Sequence, residues 1–298
     1  MRILFMGTPE FAKISLEHLL KNNFNVIGAV TQPDKPAGRK MVLKPPPVKE
    51  FCLQKNMPVY QPQSLKSEGF YELLKNIAPD IIAVVAYGRI LPKNVLEYPK
   101  YGCVNVHASL LPKYRGANPI SAAIEGGEKT TGITTIYMDE GIDTGDMILK
   151  EATEIGENET FGELHDRLAK MGGEALAKTL NQIKNGAAKR EKQPKTGASH
   201  TTKTDEKTRE IDWSQDAKKI HDKIRALSPS PAAFTRLNGK KIMICKSEII
   251  SACENALDIG CKGGIVRILE LQPEGGRKMS AKDFLNGRKI EKGAIWGE

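Results

Sequence analysis

Short apolar runs alternate with amphipathic stretches along the first two thirds of the chain. The run at 2–6 ends at a glycine; Thr8 then offers a helix N-cap, and Pro9 suits the first helical turn. This pattern predicts a strand, a helix to about Asn22 and a second strand at 24–30. A strand, a helix and a strand in that order are typical of a parallel β-α-β unit.

The same alternation continues to about residue 188. It predicts helices at 47–55, 68–77, 91–96, 119–125 and 161–183, and strands at 80–86, 103–107, 132–138 and 147–151. The strand at 80–86 is almost purely apolar, which indicates burial on both faces. An α/β domain with a mostly parallel sheet is therefore expected over 1–188. Its first turn lacks the G-x-G-x-x-G pattern of dinucleotide sites, which argues against a nicotinamide dehydrogenase.

The pattern changes after residue 188. The stretch 186–208 contains almost no large apolar side chain, which is the composition of a linker, and we place that linker at 189–208. The remainder, 209–298, is expected to be a small β-rich module whose pattern is compatible with an open barrel. Its predicted elements are a helix at 216–227 and strands at 233–237, 241–248, 264–271 and 289–295.

The charge distribution supports this division. The 298 residues carry a formal charge of +9. Residues 1–188 hold 22 Lys and Arg against 21 Asp and Glu, whereas residues 189–298 hold 23 against 15, so a net +8 lies in the last third. A solvated lysine-rich surface and a module that binds a polyanion both explain this excess.

Composition also excludes several classes of protein. No apolar run approaches the roughly 18 residues of a membrane span, and the first residues show no signal-peptide cleavage region, so we expect a cytoplasmic protein without membrane association. The five cysteines include no Cys-x-x-Cys pair. A disulfide framework and a zinc site are both disfavoured, and we expect no metal.

A long Pro- and Gly-rich loop is predicted at 31–49. It carries Lys35, Arg39, Lys40, Lys44 and Lys49 against a single acid, Asp34. Such a loop, stiffened by prolines, can hold phosphate groups at little cost in chain entropy. A mobile surface insertion is the alternative.

One set of polar residues points to chemistry. Asn105 and His107 are two apart on the strand 103–107, so both side chains face the same side of the sheet, and Asp143 lies in a glycine-rich acidic loop before the next strand. Open α/β sheets bind ligands beyond the carboxyl ends of their strands. An amide can donate to an oxyanion, an imidazole can move or shield charge, and a carboxylate can orient the imidazole or accept a proton. Singly, His107 could be a core histidine and Asp143 a turn cap.

The surrounding sequence carries a resemblance. The stretch from Asn105 to Gly116, NVHASLLPKYRG, followed by GIDTGD at 141–146, resembles the folate-dependent formyltransferases. The first twelve residues, the loop at 31–49 and the basic β-rich C-terminal module resemble the members that formylate methionine on initiator tRNA. The likeness runs along essentially the whole chain. Ala108 stands where glycine is also common, and either residue is small.

The resemblance implies a fold, a reaction and a set of site residues. The fold would be a Rossmann-like N-terminal domain, which holds the folate, and a C-terminal OB-like barrel, which helps to hold tRNA. The co-substrate would be 10-formyltetrahydrofolate, the acceptor initiator methionyl-tRNA, and we expect a monomer. The catalytic residues would be Asn105, His107 and Asp143; the folate site would be lined by Ser109, Leu110, Leu111 and Pro112; and Arg39, Lys40 and Lys44 would bind tRNA.

Other functions remain open at this point. Leu110 and Leu111 could merely plug the strand end. A sugar-nucleotide formyltransferase shares the three residues and can carry a small barrel, and a formyltetrahydrofolate hydrolase shares the chemistry with water as acceptor. A non-catalytic RNA-binding protein on the same scaffold is a further alternative, which the presence of Asn105, His107 and Asp143 disfavours.

Overall fold

The computed structural model describes residues 1–37, 41–287 and 296–297. The strands are β1 (Ile3–Gly7), β2 (Val26–Val30), β3 (Lys35–Ala37), β4 (Val42–Lys44), β5 (Val59–Tyr60), β6 (Ile81–Val85), β7 (Cys103–His107), β8 (Arg115–Gly116), β9 (Thr130–Tyr137), β10 (Met147–Glu154), β11 (His200–Thr201), β12 (Ala233–Leu237), β13 (Lys240–Ile250), β14 (Asp258–Cys261), β15 (Gly264–Pro273) and β16 (Met279–Ser280).

Eight α-helices and a 3-10 turn complete the described part of the chain. The helices are α1 (Glu10–Lys21), α2 (Pro47–Gln54), α3 (Glu68–Ile77), α4 (Lys93–Leu96), α5 (Pro119–Glu125), α6 (Phe161–Lys184), α7 (Ala217–Ala226) and α8 (Ala281–Asn286), and the 3-10 turn is Lys207–Arg209. None of the helices in this part of the chain combines the length and the apolar character that crossing a bilayer requires.

The chain divides into two compact units. The first comprises Met1–Gly116, Gly132–Thr153 and His165–His200, and the second comprises Ala117–Thr131, Glu154–Leu164 and Thr201–Glu298. The second unit therefore includes two stretches that precede the predicted boundary at 188. One of them carries α5, which packs against α7. The proposed domain limits stay a prediction.

The first unit is built on a seven-stranded sheet in the order β10-β9-β7-β6-β1-β2-β5. The strands from β7 to β5 pair in parallel, and β9 runs antiparallel to β7. Side chains alternate between the two faces of each strand, so Leu4, Met6, Ile82 and Val84 form a cluster on one face with Phe70 of α3. The parallel α/β prediction is confirmed, with a Rossmann-like arrangement.

The second unit contains an antiparallel sheet in the order β12-β13-β15-β14, with β16 also paired to β15. The register of β13 shifts on both sides of Lys246, and such irregularities bend a strand. The sheet accordingly curls as a half-barrel around an apolar core that includes Ile224 of α7 and Phe284 of α8. The prediction of a β-rich C-terminal barrel domain is confirmed.

Several elements differ from the sequence prediction. The stretch 31–49 is predicted as an irregular loop, yet β3 and β4 form an antiparallel hairpin within it. The strand β14 and the helix α8 are not among the elements predicted for the C-terminal module. The strand predicted at 289–295 lies outside the described residues. In contrast, β7, β12, α3 and α5 have the predicted limits.

Candidate active site

The strand β7 presents Asn105 and His107 on the face that also carries Cys103. Cys103 packs in the apolar cluster on that face, and its thiol contacts the carbonyl oxygens of Val95 and Leu96. Burial raises the pKa of the Cys103 thiol to about 12, so the thiol stays protonated at neutral pH. The cysteine beside the site is therefore a structural residue and a poor nucleophile.

Asp143 lies in the loop that connects β9 to β10. The carboxylate of Asp139 holds the start of this loop, because it accepts hydrogen bonds from the Gly141 N–H at 3.1 Å and from the Thr144 hydroxyl at 2.7 Å. Asp143 itself adopts a left-handed conformation, with φ of 53°. Short polar residues such as aspartate tolerate that conformation better than most, and it directs the carboxylate of Asp143 toward β7.

The carboxylate of Asp143 contacts the side chains of both Asn105 and His107. Its Oδ1 accepts a hydrogen bond from Asn105 Nδ2 at 3.3 Å, and its Oδ2 lies 3.4 Å from His107 Nδ1. The same Oδ2 accepts a 2.8 Å hydrogen bond from the backbone N–H of Gly116. The structure thus brings Asn105, His107 and Asp143 into direct contact.

Both ring nitrogens of His107 face oxygen atoms. His107 Nε2 lies 2.8 Å from the Tyr114 carbonyl oxygen, which can only accept, so this nitrogen carries a hydrogen and donates. His107 Nδ1 faces the Asp143 carboxylate at ion-pair distance. The imidazolium form gives each of these acceptors an N–H, whereas a neutral ring would set the Nδ1 lone pair against the carboxylate. His107 is 5% exposed, so water does little to screen this pair.

The arrangement suits stabilisation of negative charge on a substrate oxygen. The Asn105 side-chain amide has two N–H bonds, and its hydrogen bond to Asp143 uses one of them. Its second N–H and the imidazolium of His107 can both favour an oxyanion beyond the strand end. Asp143 supplies a carboxylate that can accept a proton in the same place.

The four residues expected to line a folate site follow β7 directly. The Ser109 hydroxyl donates to the Lys113 carbonyl oxygen at 2.7 Å, and Leu111 is fully buried, so both side chains are used within the protein. Leu110 and Pro112 are half-buried. Their accessible surfaces are the parts of this stretch that could contact a ligand, and the folate assignment stays a prediction.

Of the three residues expected to bind tRNA, the structure describes Lys44. Arg39 and Lys40 lie outside the described residues. Lys44 is exposed on β4 and is the cross-strand partner of Lys35 on β3. Like charges placed opposite each other repel, so a bound anion would relieve an unfavourable contact here.

The structure adds residues that sequence reasoning missed. The Gln193 side chain contacts the Asp143 loop, and the Ser199 hydroxyl accepts a 2.8 Å hydrogen bond from the Tyr114 N–H. Both residues lie in the stretch of linker composition, and a single glutamine or serine in such a stretch carries no sequence signal. Within residues 1–37, 41–287 and 296–297, no three acidic, histidine or cysteine side chains gather in a way that could hold a metal ion.

Comparison with known proteins gives two family matches. The family described as "Formyl transferase" matches residues 1–180, and the family described as "Formyl transferase, C-terminal domain" matches residues 203–289. A methionyl-tRNA formyltransferase of Caldicellulosiruptor saccharolyticus is 47% identical over 99% of each chain. One from Alkaliphilus oremlandii is 46% identical over 100% of each chain.

Solved structures share the fold at lower identity. A sugar 3N-formyl transferase, WlaRD, studied with dTDP and 5-N-formyl-THF, has a TM-score of 0.67 and 23% identity and covers 89% of this chain and 96% of its own. A methionyl-tRNA formyltransferase from Clostridium thermocellum has a TM-score of 0.59 and 20% identity and covers 90% of this chain and 98% of its own. At these identities the two structures establish the fold alone.

Proposed function

The chain belongs to the formyl transferase family, and on that premise we propose that Asn105, His107 and Asp143 catalyse its reaction. The reaction is the transfer of the formyl group of 10-formyltetrahydrofolate to the free amino group of methionine on initiator methionyl-tRNA, for translation initiation. The single observation that supports the residue assignment is the Asp143 carboxylate, which contacts both Asn105 and His107 at the end of β7.

The proposed mechanism is direct attack. The methionine amine forms a C–N bond to the formyl carbon, and the carbonyl electron pair moves to the formyl oxygen. The Asn105 N–H and the imidazolium of His107 stabilise that oxygen as it becomes negative. Asp143 orients His107 and accepts the proton that the amine loses. The electron pair on the oxygen then re-forms the C=O bond as the bond from the formyl carbon to the folate nitrogen breaks, and this nitrogen takes up the proton that Asp143 accepted.

Substitution of Asn105 tests the assignment. Asn105→Ala removes one oxyanion donor, so we expect turnover to fall about 10²- to 10³-fold while the melting temperature changes little. The measurement is formyl transfer from 10-formyltetrahydrofolate to methionyl-tRNA. Asn181→Ala, an exposed change on α6, is the matched control and should keep full activity. Near-normal turnover of a folded Asn105→Ala protein would contradict the assignment.

The acceptor can be examined in the same assay. The sugar formyltransferase WlaRD shares the fold, so the assay should compare three conditions. These are methionyl-tRNA as acceptor, an amino-sugar nucleotide as acceptor, and no acceptor. Transfer to methionyl-tRNA alone is expected. Transfer to the sugar, or release of formate without an acceptor, would point to the other branches of the superfamily.

We further propose how the rest of the chain takes part. Residues 1–188 form the catalytic domain, 189–208 a linker and 209–298 a tRNA-binding domain, which the net +8 of the last third favours. Residues Ser109, Leu110, Leu111 and Pro112 form the folate site, where Leu110 and Pro112 offer accessible surface and the buried Ser109 and Leu111 support them. Arg39, Lys40 and Lys44 contact the tRNA. The protein works in the cytoplasm as a monomer, which light scattering at assay concentration can test.

A further inference from the structure

Residues 190–199 lie between the two family matches and pack against the first unit's site loops. Glu191 exchanges two backbone hydrogen bonds with Met147, at 2.7 and 2.9 Å, where β10 begins. The guanidinium of Arg190 lies over the ring of Tyr137, 3.8 Å from its centre, where β9 ends. The segment is therefore fixed at both ends of the loop that carries Asp143.

Gln193 makes the central contacts of this segment. Its Nε2 donates to the backbone carbonyl oxygens of Asp143, at 2.7 Å, and Gly145, at 2.9 Å. Its Oε1 accepts from Nε and Nη2 of Arg115, at 3.1 and 2.7 Å. One half-buried amide thus connects the Asp143 loop to the strand β8, whose Gly116 N–H donates to the Asp143 carboxylate.

We propose that Gln193 is a positioning residue for Asp143 in formyl transfer, an inference that rests on the proposed function. Asp143 sits in a left-handed conformation, which aspartate adopts at some cost. The hydrogen bond from Gln193 to the Asp143 carbonyl oxygen fixes the peptide group between residues 143 and 144. The hydrogen bond to the Gly145 carbonyl oxygen fixes the peptide group between residues 145 and 146. Through this loop, Gln193 keeps the Asp143 carboxylate in contact with Asn105 and His107.

The proposal predicts a selective loss of turnover. Small displacements of a reacting group can cost about 10²-fold in rate, so Gln193→Ala should lower kcat by roughly 10- to 100-fold. Within the described part of the chain, the side-chain hydrogen bonds of Gln193 are with the Asp143 loop and with Arg115, and not with the residues proposed to bind folate or tRNA. The KM values for 10-formyltetrahydrofolate and methionyl-tRNA should therefore each stay within about twofold.

Replacing only the donor end of the Gln193 amide tests whether its hydrogen bonds to the Asp143 loop are the ones that matter. Gln193→Glu keeps an acceptor for Arg115 but replaces the donor with a carboxylate oxygen facing two carbonyls, so its kcat should fall at least as far as that of Gln193→Ala. Thr196→Ala, an exposed neutral change in the same segment, is the control and should keep the normal kcat. A Gln193→Glu enzyme with normal kcat would overturn the proposal.

A double-variant cycle with Asp143→Asn completes the test. If Gln193 acts through Asp143, adding Gln193→Ala to Asp143→Asn should lower kcat by less than about twofold further. A further loss as large as in the single variant, or a loss shared by kcat and both KM values, would show a general structural role and overturn the proposal. A fully active Asp143→Asn would instead refute the proposed function, whereas an impaired Asp143→Asn with an active Gln193→Ala would refute this inference alone.

Discussion

At the scale of single residues, the site depends on backbone positions with little room for a side chain. A Cβ atom added at Gly145 would lie 1.7 Å from the Tyr137 carbonyl oxygen, far inside van der Waals contact, and Gly145 also accepts from Gln193. Gly145→Ala must therefore push the Asp143 loop away from β9. We expect formyl transfer to fall by about 10²-fold, because the Asp143 carboxylate moves with the loop.

A second glycine provides the control for this substitution. Gly69 lies in α3, where an added Cβ would meet nothing within 4 Å. Alanine is the better helix former, so Gly69→Ala should raise the free energy of unfolding by about 0.5–1 kcal/mol and leave the activity unchanged. Urea unfolding and the formylation assay check both variants. A normally active Gly145→Ala enzyme would mean that the loop can shift without moving Asp143.

At the scale of secondary structure elements, one buried carboxylate fastens β14 to β15. Asp258 is the cross-strand partner of Arg267 and accepts two 2.8 Å hydrogen bonds from its guanidinium. Chiefly these bonds, with two backbone N–H groups of the preceding turn, lower the pKa of Asp258 from 3.8 to about 2. Because the folded pKa lies below the unfolded one, this stabilisation is present above pH 3.8 and is lost as the pH falls toward 2.

The corresponding prediction concerns stability. Asp258→Asn should lower the free energy of unfolding at pH 7 by about 1–2 kcal/mol, because an uncharged amide forms weaker hydrogen bonds with Arg267 than the carboxylate does. The difference from the unsubstituted protein should shrink as the pH falls below about 4. Glu254 also contacts Arg267, but its side chain is 71% exposed, so Glu254→Gln should cost less than about 0.5 kcal/mol. If Asp258→Asn and Glu254→Gln lowered the free energy of unfolding equally, the burial of the Asp258 carboxylate would not explain its contribution.

The same elements show how far sequence reasoning reaches. Hydrophobic periodicity located β7, β12, α3 and α5 to the residue, because each buries a regular apolar face. It missed β14, whose four residues include a glycine and depend on Asp258 pairing with Arg267 across a turn. Spacing alone placed Asn105 and His107 on one face. The contact of Gln193 with the Asp143 loop could not be predicted, because a polar residue in a low-hydrophobicity stretch gives no periodic signal.

At the scale of the whole molecule, the net charge should affect the binding of methionyl-tRNA much more than the binding of 10-formyltetrahydrofolate. Of the formal +9, +8 belongs to residues 189–298, and the β3–β4 hairpin adds the opposed pair Lys35 and Lys44. Each phosphate that the protein neutralises releases condensed counterions, so affinity falls with salt in proportion to the number of phosphates contacted. The folate co-substrate carries few charges, and its binding should depend weakly on salt.

The affinity for methionyl-tRNA should therefore fall about 10²-fold between 50 and 200 mM salt, as expected for about four phosphate contacts. The KM for 10-formyltetrahydrofolate, measured over the same range, serves as the internal reference. Lys44→Gln should reduce the slope of log affinity against log salt by about 0.7–0.9, the value of one phosphate contact, whereas Lys66→Gln, another exposed lysine of the first unit, should leave it unchanged. A slope near zero would mean that the basic last third does not contact the nucleic acid, since a protein with no phosphate contacts has no counterions to release.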